Sequence, residues 1–150
     1  LRDAAIKKHD GAIRLSQGCT LLKDSREDAD YCEYEYLGDL AANHKLKVVR
    51  RQLYNGNEYV VIDARSGCKN YTFKGRPYSR NALLVNFDET KTTDRISSLE
   101  VWWITPTALV HVKRIVLGKI FPAGPIHFSA NGKSVLFADE QARFWTVAIR

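Results

Sequence analysis

Short runs of alternating apolar and polar residues fill most of this chain, and a period of two marks β-strands with one face buried. The clearest case is a pair of runs, Lys45–Tyr54 and Asn57–Ala64, flanking Asn55-Gly56. Asn-Gly is the favoured pair for a type I′ turn, whose twist matches that of the strands it joins. A hairpin centred there sets Val49 opposite Ile62, Arg51 opposite Val60 and Leu53 opposite Glu58. Val49, Leu53, Val60 and Ile62 then share the buried face. Arg65-Ser-Gly67 turns the chain into a third strand, Cys68–Phe73. Upstream, Tyr31–Leu37 places Cys32, Tyr34 and Tyr36 on one face and Tyr31, Glu33, Glu35 and Leu37 on the other.

Two later stretches echo one another. Gly75-Arg-Pro-Tyr-Ser79-Arg-Asn-Ala-Leu-Leu-Val85 is answered by Gly124-Pro-Ile-His-Phe-Ser129-Ala-Asn-Gly-Lys-Ser-Val-Leu-Phe137. Each reads as a short strand, a Ser-x-Asn turn and an apolar strand, with a tryptophan-bearing strand after it: Leu99–Ile104 and Ala142–Ile149. Such repetition suggests β units that bury little core alone and much together. The strands sort into fours. The first set is Tyr31–Leu37, Lys45–Tyr54, Glu58–Ala64 and Cys68–Phe73. The second is Arg76–Tyr78, Ala82–Phe87, Leu99–Ile104 and Ala108–Leu117, with a polar loop from Asp88 to Ser97. The third is Ile126–Phe128, Ser134–Ala138 and Ala142–Ile149, one strand short. Ala12–Lys23, read as a strand pair or one bent strand, is a candidate to complete it, as propellers close their last blade. The expectation is a single all-β domain over 1–150, with 1–11 a frayed lead-in. Its antiparallel four-stranded units would be propeller-like or an open sheet stack.

Charge adds a polarity to this picture. Seven acids and one base between Asp24 and Asp39 give that segment −6, which leaves +12 for the rest of a chain whose net charge is +6. A dipolar surface of this kind favours an oppositely charged partner. Arg50-Arg51 and Lys113-Arg114 are only short doublets, so nucleic acid is not the expected partner. A hydrophobic share of 45% argues for a folded core over disorder. No apolar run approaches the roughly 20 residues of a membrane helix, so no membrane insertion is expected. With leucine at position 1 and no methionine, the chain is expected to be processed or trimmed, a removed export signal being one explanation.

Candidate chemistry is sparse. Three cysteines permit one disulfide and leave a thiol over. Pairing Cys19 with Cys32 would close a loop of about 14 residues, worth roughly 3 kcal/mol in the chain-entropy model. Three buried thiols in a reducing compartment is the alternative, and connectivity stays open. Cys68, at a turn beside Lys69, is a candidate nucleophile without a base, so a structural role is preferred. His9, His44, His111 and His127 are scattered, and His111 sits mid-strand among apolar neighbours. Asp24, Asp28 and Asp30 lack EF-hand spacing, so a solvated loop is preferred to calcium, and neither metal nor cofactor is expected. Adjacent strand residues face opposite ways, so burying one of Trp102 and Trp103 directs the other outward, and Trp103 is the candidate hot spot; the preferred alternative is that stacked neighbouring units cover both faces.

Tyr34-Glu-Tyr-Leu-Gly-Asp-Leu40, Val49 through Gly67, Pro77-Tyr-Ser79 and Leu99-Glu-Val-Trp102 together resemble exported bacterial proteins with propeller-like β repeats, from about Leu15 onward. That resemblance implies an exported, periplasmic or secreted all-β protein and no catalytic residue. The expected function is non-enzymatic binding of a protein, as an inhibitor or immunity protein against a secreted effector. Arg50, Arg51, Trp103, Lys113 and Arg114 are its candidate contacts. The competing readings are a carbohydrate or cell-wall binding module using exposed aromatics, and a hydrolase using Asp63, Asp88 or Asp94 with a histidine.

Overall fold

A computed structural model describes residues 6, 8–15, 19, 21–40, 43–65, 67–91 and 94–150. The chain is all-β: fourteen strands and one 3-10 turn, Asp28–Asp30, among the described residues, gathered into four antiparallel sheets. It forms two compact units, Leu1–Arg76 with Pro106–Ala108, and Pro77–Thr105 with Leu109–Arg150.

In the first unit, β1 (Lys8–His9), β2 (Ala12–Ile13) and β3 (Leu22–Lys23) form a small sheet. β4 (Cys32–Leu40), β5 (Asn43–Leu53), β6 (Gly56–Asp63) and β7 (Lys69–Phe73) form a meander in sequence order. Tyr36, Val49, Val60 and Ile62 bury one face of the meander against Ile13, Leu15 and Cys19. Full burial of a valine or isoleucine contributes about 1.5–3 kcal/mol, so this face anchors the unit. Leu46, Val48 and Val61 are buried on the opposite face.

Three expectations need correction in this unit. First, the hairpin turns at Tyr54-Asn55, with Gly56 (φ 144°) opening β6. Val49 therefore faces Val60 instead of Ile62, Arg51 faces Glu58, and Leu53 faces Gly56. A two-residue slip leaves every side chain on its face, so hydrophobic alternation cannot choose between the registers. The observed one joins Arg51 to Glu58 in an ion pair. Second, the disulfide is Cys19–Cys68, with Cα atoms 5.2 Å apart, and Cys32 is the free cysteine. Cys32 is drawn into β4, opposite Leu53 and bridged to Ser25, while Cys68 packs against the core that buries Cys19. Third, among the described residues Ala12–Lys23 joins none of the other sheets: its ends, β2 and β3, pair with each other, and β2 pairs with β1. Of the lead-in, residues 1–5 and 7 lie outside the described residues, whereas Lys8–His9 is strand, held by a Lys8–Asp24 ion pair at 2.5 Å.

In the second unit, β8 (Tyr78–Arg80), β9 (Leu83–Lys91), β10 (Arg95–Ile104) and β11 (Leu109–Gly118) form a four-stranded meander. β12 (Pro122–Phe128), β13 (Ser134–Asp139) and β14 (Phe144–Ala148) form a three-stranded one. Leu83, Val85, Leu99 and Val101 from the first sheet pack on Ile126, Val135 and Ile149 from the second. The polar loop expected over Asp88–Ser97 is largely strand, since β9 runs to Lys91 and β10 begins at Arg95. Arg95 holds this extension, pairing with Glu89 and Glu140 and lying 3.8 Å from the centre of the Phe121 ring.

The echoed segments are both hairpins, β8–β9 and β12–β13, but their loops differ. The first turns through Asn81-Ala82, with Asn81 at φ 53°. The second is longer and held by its own side chains: Ser134 N donates to Ser129 Oγ (3.1 Å), and Lys133 N donates to Asn131 Oδ1 (3.0 Å). Arg80, beside the first turn, donates to the carbonyls of Ser129 (2.7 Å) and Ala130 (2.6 Å) in the second.

Candidate functional site

The last strand of the β8–β11 sheet carries the most distinctive surface of the second unit. β11 lies at the sheet edge, and Val110 (47%), Val112 (42%) and Val116 (67%) are exposed along it. Trp103, opposite Val110 on β10, is 39% exposed, with the Arg150 guanidinium 5.5 Å from its ring centre. Its neighbour Trp102 turns the other way and donates its indole N–H to Asn86 Oδ1 at 2.9 Å. The pairing between β10 and β11 passes over Val112 and Leu117, so each is a bulge that twists the edge.

Behind this edge lies a buried carboxylate. Glu100 is 4% exposed and accepts from Arg114 Nε and from Ser98 Oγ (3.3 Å), and it meets His111 Nε2 at 2.8 Å. Trp102 packs edge-on against the His111 ring, with centroids 4.9 Å apart. A carboxylate that orients an imidazole is one part of general-base chemistry. Ser98, however, contacts the carboxylate and not the ring, so these three residues form no nucleophile–base–orienter line. Their evident work is to hold β11 against β10 while neutralising a buried charge.

Sequence reasoning missed Glu100. An acid inside Leu99-Glu-Val-Trp-Trp-Ile104 is the available signal, because a charge in so apolar a strand needs partners. Of the expected contacts, Lys113 lies on the Trp103 face of the β10–β11 pair, whereas Arg114 lies on the opposite face and pairs with Glu100. Arg50 and Arg51 belong to the first unit, where strand alternation sends them to opposite faces and each is tied to an acid, Glu35 and Glu58 respectively. The hydrolase candidates also divide. Asp63 is buried and fully engaged by Arg65: burial alone would raise its pKa, but the bonds from the Arg65 side chain and backbone win and lower it. Asp88 accepts from the backbone N–H of Glu89. The carboxylate that meets His111 is Glu100, none of the three aspartates.

In the first unit, a cleft of about 370 Å3 runs beside β4 and is lined by Ile6, Lys8, Ile13, Glu33, Tyr34, Glu35, Tyr36, Arg50 and Gln52. Its charges are largely paired within the unit, Glu35 with Arg50 and Lys8 with Asp24. Asp24 also accepts from the Tyr34 N–H, which makes it a structural clip. Among the described residues no group of three or more His, Cys, Asp or Glu side chains could hold a metal ion, and no helix is long and apolar enough to cross a membrane. Comparison with protein-family models, curated proteins and solved structures finds no match. Function has to be argued from the chain's own chemistry.

Proposed function

We propose that this chain is a non-enzymatic protein-binding β-repeat protein, acting in the periplasm or outside the cell as an inhibitor or immunity protein against a secreted effector. The observation that carries the binding reading is the patch around Trp103, where an exposed indole lies opposite exposed Val110 and near Arg150, with Lys113 on the same face of the β10–β11 pair. Aromatic and arginine side chains concentrate binding energy at protein interfaces, and a positive rim favours an acidic target. The Cys19–Cys68 bond supports the location, since disulfides persist in oxidising compartments. The repeat is part of the proposal: the three meanders are one propeller-like unit used three times, the last a strand short. Co-purification from the native compartment tests it and is expected to yield one stoichiometric protein partner. Repeated recovery of the lone monomer would overturn it.

A second reading has one observation in its favour. In a hydrolase, His111 on buried Glu100 would act as the general base, taking a proton from the water that attacks the substrate. His111→Asn would abolish any hydrolytic turnover under that reading and would leave partner binding largely intact under the first.

A further inference from the structure

We infer that the Trp103 end of the second unit is a docking surface for a partner segment in which carboxylates flank an apolar side chain. This rests on the protein-binding reading above and specifies what the partner presents. Opposite residues in a sheet share a face. The register therefore aligns Arg80, Leu83, Trp103 and Val110 in one row, and Val101 and Lys113 in the next. Arg80 holds the Ser129 and Ala130 carbonyls, at the start of the loop that contains Lys133. The Lys133 carbonyl in turn accepts from the Arg150 backbone N–H (3.3 Å), and the Arg150 guanidinium lies 5.5 Å from the centre of the Trp103 ring. The two echoed hairpins and the segment after β14 thus bring Arg80, Lys133 and Arg150 toward one exposed indole, with Lys113 beyond it on β11.

Charge selects the occupant, because the unit's own acids lie elsewhere. They are Asp88, Glu89, Asp94, Glu100, Asp139 and Glu140. Glu100 is buried on the opposite face and pairs with Arg114. Asp139 is taken by Arg143, and Glu89 and Glu140 by Arg95. Asp88 faces Ser98, about 17 Å along β10 from Trp103, which is roughly twice the Debye length at physiological salt. Asp94 precedes β10 and is farther still. Among the described residues, Arg80, Lys113, Lys133 and Arg150 therefore have no acidic partner, and the carbonyls that Arg80 holds leave its charge uncompensated. Four such cations favour carboxylates, and exposed Val110 beside the indole favours an apolar side chain between them. Nucleic acid fits less well: its bases stack on an open aromatic face, and Arg150 already lies over the Trp103 ring. The acidic segment of a second copy fits less well too, since its Asp24, Glu35 and Asp39 are paired with Lys8, Arg50 and Lys47.

The probe is a capped synthetic pentapeptide with leucine at its centre and two glutamates on each side. Its counterparts are the same peptide with lysines and a ten-nucleotide oligothymidylate. Binding to the full chain would be followed by tryptophan fluorescence, with Trp103→Phe assigning the signal among the three tryptophans. The acidic peptide is expected to bind saturably and to weaken as salt rises. Lys133→Glu and Arg150→Glu should each weaken it by about fivefold, the worth of one exposed charge pair. Lys119→Glu, the same change at an exposed position outside this end, should leave binding unchanged. Arg150→Gln keeps the backbone bond to Lys133 and serves if a charge reversal fails to fold. Absence of saturable binding, equal binding of the lysine peptide, or an equal loss with Lys119→Glu would overturn the inference. So would tighter binding of oligothymidylate through Trp103, or self-association that Lys133→Glu abolishes. A native partner retained by the Lys133→Glu, Arg150→Glu double variant would overturn this surface alone, whereas a lone monomer would remove the protein-binding reading as well.

Discussion

Breaking the Cys19–Cys68 bond should expose how much of the fold's stability depends on one long covalent loop. The two cysteines are 49 residues apart, and in the chain-entropy model such a loop stabilises by about 4 kcal/mol, against about 3 kcal/mol for the shorter loop that Cys32 would close. For a chain of this length 1 kcal/mol moves the midpoint of thermal unfolding by about 2–4 °C, so the loss corresponds to roughly 8–16 °C. Heat and urea unfolding of the wild type, Cys32→Ser, Cys68→Ser and Cys19→Ser, each with and without reductant, would measure it. Cys32→Ser should stay within about 0.5 kcal/mol of the wild type and keep its sensitivity to reductant. Cys68→Ser and Cys19→Ser should each lose about 4 kcal/mol, respond no further to reductant, and show no additional loss when combined. Peptide mapping without reduction should recover a fragment linking Cys19 to Cys68. A fragment linking Cys19 to Cys32, or a Cys32→Ser protein that has lost its reductant response, would refute the assignment.

Three further outcomes follow from contacts within the units. Arg80→Ala removes two charge-assisted bonds to the Ser129 and Ala130 carbonyls and should cost about 2 kcal/mol in urea unfolding; an effect below the error would show that water replaces them. A double-mutant cycle on Arg51 and Glu58 should show coupling of about 0.5–1 kcal/mol, discounted for partial exposure, whereas a hairpin turning at Asn55-Gly56 would give none. Burial pushes the Asp139 carboxyl up, but donation from the Trp145 indole and from Arg143 outweighs it and lowers the pKa from the ordinary 3.8 to about 2. Its ionised form therefore stabilises the fold fully above pH 4, and that contribution is lost as pH falls through about 2. Asp139→Asn should be less stable at pH 7 and lose less between pH 4 and pH 2; parallel acid limbs for the two proteins would contradict this.

The meanders were legible in the sequence because alternation and turn residues are local signals. Tyr31–Leu37, the strands around residue 55 and the run Leu99–Ile104 all lie where their patterns place them, within a few residues. Register was not legible, since slipping Val49 from Ile62 to Val60 moves no side chain across the sheet. Disulfide pairing was hidden for a related reason: Cys68 is far from Cys19 in sequence and becomes its neighbour only after β6 and β7 have paired. The strand content of Asp88–Ser97 escaped notice because its polar residues are stabilised by Arg95 reaching Glu140, a contact between distant segments. At the candidate site, Trp103 and Lys113-Arg114 could be named from the sequence. That Arg114 joins Glu100 on one face, while Lys113 stays on the Trp103 face, required the register of β10 against β11.

The bond from Arg80 to the Ala130 carbonyl also bears on how this molecule is put together. Arg80 and Ala130 occupy matching places in the two echoed segments, so one copy grips the backbone of its own counterpart. Alanine has nothing with which to return that grip. The relation is one of hook and eye, with a fixed sense from the earlier hairpin to the later. A duplicate of the second hairpin would carry an eye but no hook and could not extend the series by the same means.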